Sequence, residues 1–75
     1  MNEVIINKEY SLVDVINLVL DSGEKELFLK IEPESVILES KVNLLILFKI
    51  CKDKGISIKC DTADLRGNKL IKDIE

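Results

Sequence analysis

Apolar and polar residues alternate along short stretches of the chain, and this alternation is typical of β-strands. In residues 26–32, ELFLKIE, leucine or isoleucine occupies every second position. Residues 56–60, ISIKC, repeat the alternation with serine and lysine on the second side, and residues 4–7, VIIN, form a short β-branched run that suits a strand. The pattern predicts three strands, two of which have one apolar face and one more polar face.

After each predicted strand, apolar residues recur at the spacing of an α-helix. Ser11 and Asp14 form a pattern like a capping box, and the helix that they start stops at Gly23. Ser40 is the predicted cap of a second helix over residues 41–54, which carries lysines in its last turn and ends before a glycine. The order along the chain is therefore strand, helix, strand, helix, strand, with a further helix to come.

The third helix is predicted to begin at Asp61 or Thr62, with Gly67 in its middle weakening the pattern. Residues 36–38, VIL, are predicted to form a short apolar loop or turn before the second helix. Strands separated by helices of this length form right-handed βαβ units and a parallel sheet.

Two of the predicted strands are apolar on one face and more polar on the other, and this difference indicates the order of the strands in the sheet. In the order 2-1-3 the two crossover helices would lie on opposite faces, and every strand would have to be apolar on both sides. In the order 1-2-3 both helices share one face, as the alternation requires. The sequence therefore predicts one α/β domain over residues 1–75: a small three-stranded parallel sheet in the order 1-2-3, with two crossover helices on one face and a third, C-terminal helix at an edge or beneath. This is half of a Rossmann-type sheet.

The second helix carries more apolar residues than one sheet face can cover. Residues 44–48, LLILF, are a continuous apolar run, so large side chains extend around much of the helix. Either the neighbouring helices absorb this surplus, or it forms an interface with a second copy of the chain or with a larger protein. The interface residues predicted on this basis are Leu44, Leu47, Phe48 and Cys51.

Length and charge narrow the classes of function. A chain of 75 residues is near the lower size limit for a self-supporting core, so association would add stability. The formal net charge of −3 argues against nucleic-acid binding, which needs a basic surface. No apolar run reaches the roughly 18 residues that span a bilayer, and the first ten residues do not resemble a signal peptide. We therefore expect a cytoplasmic protein that does not insert into membranes.

Catalytic and cofactor chemistry has little support in the sequence. The chain contains no histidine, so Cys51 and Cys60 cannot form a zinc site or a Cys-His pair of the usual kinds, and both are expected to be small buried hydrophobes. The glycine patterns of nucleotide-binding loops are absent. We expect no enzymatic activity and no cofactor.

Acidic residues follow the predicted strands at the edge where ligands of open α/β sheets bind. Glu32, Asp61 and Asp64 could together hold a divalent cation or a small ligand. The alternative is that Asp61 and Thr62 cap the third helix and that the glutamates are solvated loop residues. The sequence leaves the identity of any metal open.

Two stretches carry resemblances to known families. Ser-x-Val-Asn-Leu at residues 40–44, followed by Gly-Ile-Ser-Ile at residues 55–58, resembles a Rossmann-like βαβαβ module of uncharacterised bacterial envelope-associated proteins. The upstream stretch at residues 11–35 is similar to the helix and strand that precede this segment, so the likeness covers most of the chain. It implies the same fold and a non-catalytic role in interaction or structure.

The second resemblance is weaker and concerns Ser40 and residues 63–70, ADLRGNKL. A serine at the start of a helix and a last helix with this pattern resemble STAS domains, the anti-sigma-factor antagonist fold. The resemblance implies that Ser40 is phosphorylated and switches the binding of a partner. The alternative is that this serine is a plain N-cap. The function that the sequence predicts best is protein–protein interaction or oligomerisation, with phosphorylation at Ser40 or ligand binding at the strand ends as alternatives.

Overall fold

The computed structural model describes residues 2–74 and places a three-stranded parallel sheet against a layer of helices. In chain order the elements are β1 (Asn2–Ile6), α1 (Leu12–Asp21), β2 (Glu26–Ile31), a 3-10 helix (Val36–Leu38), α2 (Lys41–Asp53), β3 (Ser57–Thr62) and α3 (Leu65–Ile74). This is the predicted α/β architecture.

The strands pair in the order β1-β2-β3, and both pairings are parallel. This confirms the order that the alternation predicts. In register, Leu29 of the central strand lies between Val4 and Cys60, and Ile31 lies between Ile6 and Thr62. These inward-facing positions lie next to one another on the helix side of the sheet.

The core lies between the sheet and the helices. The inward side chains of β2 are buried, with Leu27 and Leu29 0% exposed, whereas the outward side chains of Lys30 and Lys59 are exposed. The second face of the sheet is thus the polar one, as the alternation predicts. The buried apolar residues of the core are Ile6, Val15, Val19, Leu27, Leu29, Ile31, Ile37, Leu38, Leu44, Leu47, Cys51, Ile58 and Ile71.

The predicted cap of α1 is present as a complete capping box. Ser11 Oγ accepts a hydrogen bond from the backbone N–H of Asp14 at 3.2 Å, and the Asp14 carboxylate accepts one from the Ser11 N–H at 2.9 Å. The glycines that follow the two crossover helices, Gly23 and Gly55, both have φ of 72°, a conformation that glycine adopts without a steric penalty.

The first strand begins and ends earlier than residues 4–7. The side chain of Asn7 accepts a hydrogen bond from the backbone N–H of Glu9 at 2.9 Å, which turns the chain immediately after the strand. β-Propensity alone placed Asn7 in the strand, while its side chain stabilises a turn.

The third helix begins later than predicted, and this part of the prediction was wrong. β3 continues through Asp61 to Thr62, because Thr62 pairs with Ile31 of the central strand and is only 8% exposed. The helix begins at Leu65, and the residue that caps it is Asp64. The β-branched Thr62 therefore serves the sheet and not the helix.

The third helix lies on the same side of the sheet as the other two. It contacts β3, α2 and the 3-10 helix, and its residue Ile71 is 1% exposed within the shared core. A Cβ atom at Gly67 would lie only 2.6 Å from Cδ1 of Leu38. The absence of a side chain at Gly67 therefore lets α3 lie closely against the 3-10 helix.

We expect Gly67→Leu to lower the free energy of unfolding by about 3 kcal/mol, because a long side chain has no space beside the buried Leu38. Gly67→Ala should change it by about 1 kcal/mol or less, since the end of Leu38 can turn aside and alanine favours the helix. Urea unfolding followed by circular dichroism measures both. The matched control is Lys69→Leu on the exposed side of the same helix; a loss as large in the control would contradict the packing argument.

Candidate functional site

The four residues predicted to form an interface on α2 lie against the core. Leu44 and Leu47 are 0% exposed, Cys51 is 1% exposed, and Phe48 is half-buried and packs against the same cluster. Burial also raises the pKa of the Cys51 thiol, as expected for a structural cysteine. The burial therefore corrects this choice of residues, because a partner could not reach three of these side chains on the folded chain.

The exposed apolar residues of α2 lie on its opposite side. Val42, Leu45 and Ile46 are 58%, 47% and 40% exposed. The neighbouring helix α1, which contacts α2, exposes Val13 (64%) and Leu20 (37%). We call these five residues, Val13, Leu20, Val42, Leu45 and Ile46, the outer helix face.

The charges on α2 explain which of its two apolar sides is buried. The line through Val42 and Ile46 continues to Lys49 and Asp53, whose side chains form an exposed ion pair at 3.8 Å. Burying that line would take both charges out of water. The line of Leu44, Leu47 and Cys51 is apolar throughout, so it can face the sheet over the whole length of the helix.

The opposite surface of the molecule, the open side of the sheet, is of a different kind. Lys30 Nζ lies 3.1 Å from Glu3 Oε1. On β3, Asp61 is the register partner of Lys30, and Lys59 is that of Phe28. Ile5, which is 67% exposed, and the half-buried Phe28 are the large apolar residues there. Charges of both signs dominate this side of the sheet and favour contact with solvent.

The three carboxylates proposed for a ligand or metal site do not converge. Glu32 Oε1 accepts a hydrogen bond from the backbone N–H of Lys8 at 2.8 Å, and Asp61 lies on the open side of the sheet, away from the helix layer. Asp64 caps α3. Among residues 2–74 no group of three or more cysteine, aspartate or glutamate side chains is placed to hold a metal ion.

Asp64 joins the loop after β2 to the start of α3. Its Oδ2 accepts a hydrogen bond from the N–H of Glu34 at 3.1 Å, and its Oδ1 accepts from those of Arg66 and Gly67 at 3.0 and 3.1 Å. Glu34 has φ of 64°, an uncommon value for a residue with a side chain. The hydrogen bond from Glu34, followed by that from Gly67, lowers the pKa of the Asp64 carboxyl. The observed role of this aspartate is structural.

Ser40 occupies the N-cap of α2. Its Oγ accepts a hydrogen bond from the backbone N–H of Val42 at 3.2 Å, and the side chain is half-buried. This is the capping role that the sequence predicts for the serine. Phosphorylation at this position stays a prediction.

We expect Leu47→Asp to unfold the chain, because it places a carboxylate at a position with no access to water. Leu45→Asp, two positions away on the outer helix face, should leave the helical circular dichroism and the thermal midpoint nearly unchanged. A folded Leu47→Asp variant would contradict the assignment of this residue to the core.

We expect the stabilising effect of Asp64 to depend on pH. The pKa of its carboxyl is lowered in the folded state, so the charge stabilises the fold above the unfolded pKa, and this contribution is lost as the pH falls through the folded pKa. The stability difference between the wild-type chain and Asp64→Asn should therefore be largest near neutral pH and shrink as the pH falls below about 4. Urea unfolding at several pH values tests this; a difference independent of pH would contradict it.

No helix within residues 2–74 is both long and apolar enough to cross a membrane.

Comparison with protein-family models, with curated proteins and with solved structures finds no match for this chain. The resemblances to the envelope-associated module and to STAS domains rest on the quoted residues alone. What the molecule itself shows is a small α/β domain with a three-stranded parallel sheet.

Proposed function

We propose that this chain is a non-catalytic protein–protein association module and that it binds through the outer helix face. The observation that carries the proposal is the exposure of large aliphatic side chains on the outward sides of two helices that contact each other. The proposal keeps the predicted function and moves it from the buried Leu44, Leu47 and Cys51 and the half-buried Phe48 to five exposed residues.

The arrangement of these side chains supports a binding surface. Val13 and Leu20 are seven residues apart, so they lie on one side of α1, and Val42 and Ile46 are four apart on one side of α2. Single exposed apolar residues are ordinary on protein surfaces, whereas apolar patches rimmed by polar residues mark interaction sites. Here the exposed residues are grouped on adjacent helices.

Charged residues border this patch. Asp14 and Asp21 lie beside it on α1, Lys41 lies beside it on α2, and Lys49 follows the line of Val42 and Ile46; all four are exposed. An apolar centre with a polar rim is the usual composition of a protein interface. A second copy of the chain and a different protein both fit this description.

No observation on the described residues favours the two alternative functions. Ser40 has a capping role that needs no phosphate, and the carboxylates near the strand ends serve separate hydrogen bonds. A cytoplasmic location stays part of the proposal, on the basis of the composition.

Site-specific photo-crosslinking tests the function. A photoreactive phenylalanine analogue at position 45 lies on the outer helix face, and the same analogue at position 59 lies on the open side of the sheet. We expect position 45 to form crosslinks to protein in cells that express the chain, either to another copy or to a different protein, and position 59 to form few.

The crosslinks from position 45 should disappear when Ile46→Lys is added, because a charge then lies in the middle of the apolar patch. The matched control is Ile5→Lys on the open side of the sheet, which should leave them unchanged. Equal crosslinking from positions 45 and 59, or none from either, would overturn the proposed function.

A further inference from the structure

The two helices of the outer helix face carry opposite charges. The charged residues of α1 are two aspartates, Asp14 and Asp21. Helix α2 carries three lysines, among them Lys41 and Lys49, against the single Asp53. One half of the face is therefore acidic and the other half basic.

Asp14, Asp21 and Lys41 lie along the outer margins of the face, whereas Lys49 and Asp53 continue the line of Val42 and Ile46 within it. On α1, Asp14 follows Val13 by one position, so it lies about 100° further round the helix. On α2, Lys41 precedes Val42 by one position and lies about 100° back in the opposite sense. Both helices run antiparallel to the strands and so point the same way. Because the crossovers are right-handed, these opposite offsets place Asp14 at the α1 edge of the face and Lys41 at the α2 edge.

We propose that the occupant of the outer helix face is a second copy of this chain, related by a twofold axis parallel to α1 and α2. This inference rests on the proposed function and names its partner. Rotation about that axis sets α1 of each copy against α2 of the other, so the aspartates of α1 meet the lysines of α2 at two symmetry-related contacts in the dimer.

Charge disfavours the other twofold arrangement of the same face. An axis in the plane of the face but perpendicular to the helices would set α1 against α1 and α2 against α2. The aspartates of α1 would then meet each other, and this repulsion opposes association, whereas α2 would meet α2 with charges of both signs. With the axis parallel to the helices, Asp14 and Lys41, both in first turns, lie at similar heights, and Asp21 and Lys49 both lie in later turns.

The existing ion pair on α2 does not prevent the exchange of partners. Lys49 Nζ and Asp53 Oδ2 are 3.8 Å apart, and their side chains are 78% and 63% exposed. A pair so exposed to water contributes little to stability. Lys49 can therefore turn towards an aspartate of the second copy.

A pair of charge reversals tests the arrangement. Asp21→Lys leaves α1 with a lysine facing the lysines of α2, and Lys49→Glu leaves α2 with a glutamate facing the aspartates of α1. Asp21 is preferable to Asp14 for this purpose, because Asp14 belongs to the capping box of α1. Sedimentation velocity over a range of concentrations at low salt measures the dimer dissociation constant of the full chain.

We expect a wild-type dimer and an increase of about tenfold in the dissociation constant for each variant alone, since each reversal changes two symmetry-related contacts. An equimolar mixture of the two variants should dimerise about as tightly as the wild-type chain. In the mixed dimer one contact is the wild-type pair and the other is the same pair with its charges exchanged.

The control Lys59→Glu, on the open side of the sheet, should behave like the wild-type chain, and circular dichroism checks that each variant is folded.

Two results would overturn the inference. A wild-type chain that stays monomeric at all concentrations excludes a second copy, and a mixture no tighter than either variant alone excludes the α1-against-α2 arrangement. Neither result by itself removes the proposed function. If position 45 still forms crosslinks to a different protein, association through the outer helix face stands with another partner, whereas the absence of any crosslink from position 45 removes both.

Discussion

The structure depends on covering one face of a three-stranded sheet. The central strand contributes three inward side chains, Leu27, Leu29 and Ile31, which are at most 3% exposed. Both other strands pair with this strand, and the helices shield it from water. In a chain of 75 residues this single interface between sheet and helices is the whole core, so the orientation of each helix follows from the need to close it.

Because the helices close one face only, the molecule has two surfaces of different kinds. The open side of the sheet carries charges of both signs, including the diagonal pair of Glu3 and Lys30, and needs no cover. The outer side of the helix layer exposes apolar residues of two helices, with two aspartates on α1 and three lysines and Asp53 on α2. A small domain whose core is near the lower size limit gains stability when such a surface is buried against a partner, which links the fold to the proposed association.

Helix α2 shows how far pattern analysis reaches. Two apolar lines run along it, and a short window around residues 44–48 does not separate them. The line through Leu44, Leu47 and Cys51 stays apolar to the end of the helix, while the line through Val42 and Ile46 reaches Lys49 and Asp53. The desolvation of these two charges decides between the lines. Over its whole length the helix therefore indicates which line is buried, whereas the run at residues 44–48 alone does not.

The sequence by itself determined the elements, the strand order, the polar second face of the sheet and the caps at Ser11 and Ser40, because these follow from alternation and from hydrogen bonds between near neighbours. Only the tertiary structure decided the roles of Asp64 and Gly67 and the composition of the outer helix face. Asp64 binds the N–H of Glu34, thirty residues earlier, and Gly67 lies against Leu38 of another element. Contacts between residues so distant along the chain leave no periodic trace, since they exist only once the elements have packed.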